Sequence, residues 1–222
     1  QLKPEKGDTT TLGITWQPPQ IPGLLASVDY YTIDLKDAIS SLGGQNIVNF
    51  CYGAQGAPLT PSLCSLIQRD PSTGVITNIA NKTLNIAAQK TSGVDLELSY
   101  RLPVPGLLSP EQGNLLLRVL GTYVDELIVN NGLRSVDRAG EGSPQWRWTG
   151  SATYNNGPWT LYLQGVYTGE TNIDNTFTAA QIADNTVDSQ FIVNASVQRT
   201  LYESGRGRLQ LFGNVTNLLD QD

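Results

Sequence analysis

The sequence predicts an all-β fold, an antiparallel meander of about eight long strands that forms part of a larger transmembrane β-barrel. Charged residues make up only 15% of the chain, whereas an ordinary soluble domain has about 25%. No run of about 18 apolar residues is present, so no transmembrane helix is predicted. Low charge without such a run is typical of barrels, whose strands alternate apolar and polar side chains. A secreted β-sandwich has a similar composition and stays open as the alternative.

Apolar and polar side chains alternate with a period of two, which indicates strands rather than helices. In residues 93–100, for example, Val94 and Leu96 alternate with Asp95 and Glu97. The segments that show this pattern are residues 9–17, 29–36, 93–100, 114–125, 146–154, 159–167, 191–197 and 208–215. Because an unpaired strand edge is not tolerated in lipid, we expect further strands before residue 1 and after residue 222.

The connections between these segments alternate in length along the chain. Short connections at residues 18–23, 102–113, 155–158 and 203–207 alternate with long ones at residues 37–82, 130–145 and 169–189. Asn-Gly, Pro-Gly and Ser-Gly pairs mark the short set as turns. Outer-membrane barrels have short turns at one end and long loops at the other. A soluble sandwich has no reason to sort its loops in this way.

Aromatic residues cluster beside the short connections. The cluster consists of Trp16, Tyr100, Tyr154, Trp159 and Tyr202. In a barrel these rings would form a girdle at one membrane interface. The alternative is the ordinary preference of Trp and Tyr for strands.

Composition excludes several functions. The net charge is −6 without a cluster of Lys or Arg, so nucleic-acid binding is not expected. The chain contains no His, the commonest general base and metal ligand, and no nucleophile motif. The acidic residues of the 169–189 connection lack the dense pattern of a calcium loop. We therefore expect no catalytic residues, no metal site and no cofactor.

The two cysteines, Cys51 and Cys64, lie in a segment rich in Gly, Pro and Ser. Such a pair, closing a short loop, predicts a disulfide and an oxidising compartment. The alternative is two unrelated free thiols.

Several segments resemble, in chain order, stretches of the barrel of TonB-dependent receptors. They are residues 2–8 with 12–18 (L-x-P-E-x-S…G-x-x-W-x-P in the family), residues 29–39 (D-Y-Y-x-I-x-I-x-D-A-I), the Cys51–Cys64 loop with residues 69–76, Asn85 with residues 93–100 (N…G-x-D-x-E-x-x-Y) and residues 212–220 (x-x-N-x-x-N-L-x-D). Two departures are the Gly at position 7, where the family favours Ser or Thr, and the missing last strand with its terminal aromatic residue.

The resemblance implies that residues 1–222 are the C-terminal segment of a barrel of the 22-stranded type. The plug domain and the earlier strands would lie upstream, and the last strand would lie downstream. The polar faces of the strands would line the lumen, with the alternative that each is an ordinary solvated barrel wall. The lumen-facing candidates are Asp34, Lys36, Asp95, Glu97, Arg118, Arg147 and Arg208.

The resemblance also implies a non-enzymatic function. The parent protein would bind a scarce solute (a siderophore, vitamin, carbohydrate or metal chelate) at extracellular loops, and would import it with energy relayed by TonB. Its partners would be the TonB complex, reached through an N-terminal part outside this chain, and the lipid of the outer membrane of a Gram-negative bacterium. The alternative function is that of a secreted β-sandwich adhesin or glycan-binding module.

Overall fold

A computed structural model describes residues 2–55, 57–131, 134–205 and 207–221 of the chain. Its elements are β1 (Lys6–Trp16), β2 (Leu24–Ser41), α1 (Gly44–Tyr52), a 3₁₀ helix (Pro61–Leu66), β3 (Ile67–Arg69), β4 (Ile76–Ile79), β5 (Thr83–Val104), β6 (Gly113–Asn130), β7 (Ser135–Asp137), β8 (Trp146–Asn156), β9 (Trp159–Thr168), β10 (Thr171–Asn172), β11 (Thr186–Val187), β12 (Gln190–Ser204) and β13 (Gly207–Val215). In this described part of the chain, no helix has the length and apolar character needed to cross a membrane.

Eight long strands form one antiparallel meander, which confirms the predicted fold class. Their order is β1-β2-β5-β6-β8-β9-β12-β13, and the short strand β7 pairs with β6. The predicted alternation of short and long connections is also confirmed, since only the connections after β2, β6 and β9 are long. Each long connection carries short elements of its own. The hairpin β3–β4 lies in the first, and β10 and β11 pair in the third.

The strands are longer than the alternating pattern predicts. Strand β5 has 22 residues, whereas the pattern marks only residues 93–100. The additional residues lack a clear apolar face, but ladder hydrogen bonds join backbone groups and need no particular side chain. Side-chain alternation therefore marks the part of a strand with one apolar face, and the hydrogen-bonded ladder continues beyond it.

The described chain forms two compact units. The first contains Gln1–Asp8, Ile33–Lys90 and Ile128–Val136, and the second contains Thr9–Thr32, Thr91–Leu127 and Asp137–Asp222. In the first unit, α1 ends at Gly53, which adopts a left-handed conformation that costs glycine little. The helix buries Ile47, Phe50 and Cys51. Its nine residues lie within the long 37–82 connection, where the alternation gave no sign of a helix.

The predicted disulfide is confirmed. It joins Cys51 at the end of α1 to Cys64 in the 3₁₀ helix, with their Cα atoms 4.9 Å apart. Beside it, the Arg69 guanidinium donates to the Tyr52 hydroxyl at 2.9 Å and lies 5.5 Å from the centre of the Tyr52 ring. The disulfide and this contact hold α1, the 3₁₀ helix and β3 together.

In the second unit, two buried side chains at the end of β8 hold the connection between β5 and β6. The Tyr154 hydroxyl accepts from the Leu107 amide at 2.8 Å and donates to the Pro105 carbonyl at 3.1 Å. Asn156, only 1% exposed, makes three further hydrogen bonds to the same connection. Tyr154 is therefore buried under this connection, and it cannot serve as the exposed girdle residue that its position in the sequence suggested.

Candidate functional site: the polar face and its charged residues

The strand register of the second unit separates a polar from an apolar face. Residues paired across antiparallel strands lie on the same face of a sheet. The row that contains Arg118, Ser151, Gln164 and Asn194 is polar. The adjacent row contains Leu117, Ala152, Leu163 and Ala195 and is apolar. We name these the polar face and the apolar face of β6, β8, β9, β12 and β13.

The apolar face is exposed. Leu163 is 49% exposed and Leu211 is 64% exposed. Among the described residues of the second unit, Tyr154 is the only buried hydrophobic side chain. In a β-sandwich the apolar face would instead be covered by a second sheet.

Aromatic rings mark both ends of the apolar face. At the end next to the long connections, the Trp146 ring lies 4.4 Å from that of Tyr123 and 5.6 Å from that of Trp148, measured between ring centres. At the short-turn end, Trp159 pairs with Asn156. Trp146 and Asn156 are ten residues apart. At about 3.3 Å per residue, the two rows are about 33 Å apart along the strand. At the tilt of about 40° that barrel strands have, this length would span the apolar band of an outer-membrane barrel, which is about 25 Å high. Only the row at the short-turn end is predicted by the sequence.

Three of the lumen-facing candidates lie together on β5 and β6. The Arg118 guanidinium contacts the Glu97 carboxylate, with an Nη2–Oε1 distance of 2.8 Å. Asp95 accepts a hydrogen bond from the Thr122 hydroxyl at 2.9 Å. Both partners of the ion pair are partly exposed, so it contributes under about 1 kcal/mol to stability.

Two other candidates are paired in the first unit. Lys36 Nζ lies 3.1 Å from an Asp34 carboxylate oxygen and 3.5 Å from one of Asp8. The alternation on β2 predicted that Asp34 and Lys36 share a face. The third member, Asp8 on β1, was not predicted, because its contact depends on the register between strands.

The arginine candidates of β8 and β13 differ in their partners. Arg208 contacts Glu203 across the β12–β13 hairpin at 2.5 Å. Arg147 donates to the Ser143 hydroxyl at 3.2 Å and takes part in none of the ion pairs of the described residues. Among the described residues, no carboxylate therefore forms an ion pair with Arg147.

Arg147 lines a cavity of about 500 Å³ at the long-connection end of β8, β9 and β12. On its strand it pairs with Thr168 of β9, which in turn pairs with Gln190 of β12, so all three belong to the polar face. Asp188 also lines the cavity. The cavity thus offers one guanidinium, one carboxylate and several neutral polar groups.

The two long connections beside this cavity are joined by a hydrogen-bond network that the sequence did not predict. The Asn175 amide group donates to the carbonyls of Asp137 and Ala139, and its backbone amide donates to Glu141. The Glu141 side chain is 12% exposed and also contacts Arg138. These partners are 34 to 38 residues apart in sequence, so no local pattern indicates them.

In the hairpin β3–β4 of the first unit, hydrogen bonds from the Ser72 hydroxyl and from the Thr73 and Ser72 amides lower the pKa of Asp70 to about 2. In the 169–189 connection of the second unit, the Thr186 amide and hydroxyl lower the pKa of Asp184. Both carboxylates stabilise turns of their own connection.

Comparison with known proteins places these features in one family. Residues 1–218 match the family model described as TonB dependent receptor-like, beta-barrel. A search of curated proteins found no match.

Solved structures agree with the family model. A mutant of the ferric enterobactin receptor of Pseudomonas aeruginosa is 16% identical, with a TM-score of 0.62 over 99% of this chain and 26% of that one. The FrpB iron transporter of Neisseria meningitidis is 16% identical, with a TM-score of 0.56 over 97% and 27%. The outer membrane transporter YddB of Escherichia coli is 12% identical, with a TM-score of 0.62 over 99% and 29%. The chain therefore spans little more than a quarter of the length of these structures.

Proposed function

The chain belongs to the TonB-dependent receptor β-barrel family of the Gram-negative outer membrane, and we propose that residues 1–222 are the C-terminal segment of the barrel of a longer import receptor. In this proposal the plug domain and the earlier strands lie upstream and the last strand lies downstream. The short share of each structural neighbour that the chain covers supports this arrangement.

The observation that carries the proposal is the sorting of side chains between the two faces of the second unit. The apolar face is exposed and has aromatic rings at both ends, as expected where lipid covers it. The polar face carries Arg118, Arg147 and Arg208 and would line the lumen. A secreted sandwich would cover this face with a second sheet. A secreted protein without such a cover would leave the face in water, where each large side chain forgoes about 1.5 to 3 kcal/mol of burial free energy.

The parent receptor would act by binding and gating, without a covalent step. The long connections would capture the solute outside the cell. Energy relayed by TonB would move the plug, and the solute would pass along the polar face. The paired charges, such as Arg118 with Glu97, would give the solute a polar path without a single strong charge to retain it. TonB would be reached through the upstream part of the protein.

We propose an anionic iron chelate as the solute. Among the described arginines of the polar face, Arg147 is the one that forms no ion pair, and its cavity opens between the long connections. A guanidinium in this position suits a carboxylate, catecholate or hydroxamate oxygen, because it donates in a fixed planar fork. One structural neighbour is a ferric enterobactin receptor and another is an iron transporter, which supports iron as the cargo.

The test is uptake by cells that express the full-length receptor, with and without functional TonB. The probes are radiolabelled ferric enterobactin and ferric citrate, with neutral cobalamin and maltohexaose as comparators. We expect TonB-dependent uptake of an iron chelate. Uptake of a neutral probe alone would contradict the solute class. No TonB-dependent uptake of any probe, from a protein that stays soluble without detergent, would contradict the proposed function.

Two substitutions locate the binding site. Arg147→Gln should weaken binding of the imported chelate about tenfold, the effect of losing a hydrogen bond to a charged group. Arg208→Gln is the matched control, because Arg208 lies at the other end of the polar face and already has Glu203 as a partner. Equal loss of binding in both variants would contradict a specific role for Arg147.

A further inference from the structure

One charged side chain, Arg199, lies on the apolar face of the second unit. It pairs with Trp159 of β9 and Leu211 of β13, so the three share a face. Among the described residues that pair across β6, β8, β9, β12 and β13, every other member of this face is uncharged. Arg199 takes part in none of the ion pairs of the described residues. A charge that faces lipid without a carboxylate partner needs an anionic partner from the membrane.

Arg199 is held against an aromatic ring. Its guanidinium carbon lies 4.8 Å from the centre of the Trp159 ring. This distance is that of a cation–π contact, which holds the guanidinium over the indole ring. The edge of the guanidinium can still donate hydrogen bonds, because Arg199 is an exposed residue.

A β-bulge brings a tyrosine to the same place. The register between β12 and β13 shifts between Thr200 and Tyr202, so Arg199 pairs with Leu211 and Tyr202 pairs with Leu209. Residues three apart on a regular strand point to opposite faces, but the extra residue returns Tyr202 to the face of Arg199. Tyr202 is 61% exposed. A guanidinium, an indole ring and a phenol hydroxyl therefore occupy adjacent rows at the short-turn end of the apolar face.

We propose that Arg199, with Trp159 and Tyr202, binds the phosphate of an anionic phospholipid in the leaflet at the short-turn end. The guanidinium donates two parallel hydrogen bonds to phosphate oxygens, and such pairs are short and strong. The Tyr202 hydroxyl provides a further donor at the level of the headgroup, where amphipathic rings prefer to lie.

The surroundings of Arg199 favour a lipid over a free phosphate ion. Leu211, in the same row, is largely exposed, and Val197, the next residue of β12 on this face, is 42% exposed. A phospholipid would cover these side chains with its acyl chains while its headgroup meets the guanidinium. A free ion would satisfy the charge and leave the apolar side chains uncovered. The proposal is independent of the solute, since it concerns the opposite face of the sheet.

The experiment is native mass spectrometry of the full-length receptor, purified in detergent and supplied with dioleoyl phosphatidylglycerol. We expect the wild-type protein to retain a bound lipid and Arg199→Gln to retain it about tenfold less well, the effect of losing a charge-assisted hydrogen bond. Arg208→Gln is the matched control, because Arg208 is near the same end of the sheet on the polar face. Retention by Arg199→Gln at the wild-type level, or equal loss in Arg208→Gln, would overturn the proposal.

Two further measurements keep the test valid if Arg199→Gln fails to fold. The first compares phosphatidylglycerol with dioleoylglycerol, which has the same acyl chains and no phosphate. Equal retention of the two by the wild-type protein would overturn the proposal. The second adds inorganic phosphate as a competitor, and displacement of the lipid at millimolar concentration would show an ion site instead of a lipid site. In Arg199→Lys, which keeps the charge and loses the planar fork, we expect retention between that of the wild type and that of Arg199→Gln.

Discussion

Replacing Asn156 with alanine removes three hydrogen bonds that hold the connection between β5 and β6. The Asn156 side-chain oxygen accepts from the Leu108 amide at 2.9 Å and from the Ser109 amide at 2.7 Å. Its side-chain nitrogen donates to the Glu111 carbonyl at 2.6 Å. With a net value of about 1 kcal/mol for each hydrogen bond, the substitution should lower the free energy of unfolding by about 3 kcal/mol.

The measurement is urea unfolding of the full-length receptor in detergent, followed by the mobility of unboiled samples on a gel. Asn155→Ala is the matched control, because Asn155 is the preceding residue, is exposed and has one side-chain partner, the Thr160 hydroxyl. We expect this control to change the free energy of unfolding by less than about 1 kcal/mol. Asn156→Asp keeps both accepted hydrogen bonds and loses the donated one, so it should fall between the two alanine variants. Equal stability of Asn156→Ala and Asn155→Ala would refute this account of the connection.

Three other perturbations give separate tests. When Cys51 and Cys64 are replaced with serine, the 42–82 connection should be cleaved faster in limited proteolysis, because a disulfide closing a loop of this size contributes about 3 kcal/mol of stability. An unchanged cleavage rate would argue against that contribution. Lowering the pH should open the turn after Asp70. The pKa of Asp70 is lowered to about 2, so its stabilising effect is complete above about pH 4 and is lost as the pH falls through about 2. Protection of the Ser72 amide from hydrogen exchange, corrected for intrinsic exchange, should therefore fall between about pH 4 and pH 2. In Asp70→Asn this protection should not change with pH. Gly121→Ala would place a Cβ 2.2 Å from the Trp148 ring. Because the ring must move, the substitution should lower the free energy of unfolding by about 1 to 3 kcal/mol. Gly150→Ala, whose Cβ would meet open space, is the control in the same urea assay.

The strands were predictable because their signal is local. The alternation in residues 93–100 depends only on neighbouring residues, because successive side chains of a strand point to opposite faces of the sheet. The turn at Asn156, Gly157 and Pro158 likewise has a local signal. The remainder of β5 was missed, since its ladder is made by backbone groups and its side chains show no clear face. Helix α1 was missed because nine residues inside a long connection give too short a pattern to separate from a loop.

The candidate site was predictable as a set of side chains and not as a set of contacts. Alternation correctly put Asp95 and Glu97 on the same side of their strand. The choice of Arg118 as the partner of Glu97 depends on the register between β5 and β6, and residues 21 apart give no sequence signal for it. For the same reason the sequence did not distinguish Arg147, without a carboxylate partner, from Arg208, which has one.

The network between the two long connections of the second unit has a kinetic consequence. Asn172 and Gly140 share a backbone hydrogen bond of 2.6 Å, and Gly142 donates to the Asn172 carbonyl at 2.9 Å. Separating the two segments would break these bonds and those of Asn175 together, so neither segment can swing out alone at low cost. Entry of a solute into the cavity lined by Arg147 should therefore follow a single opening rate. Such collective loop motions take microseconds to milliseconds, much longer than the nanoseconds in which an untethered loop tip rearranges.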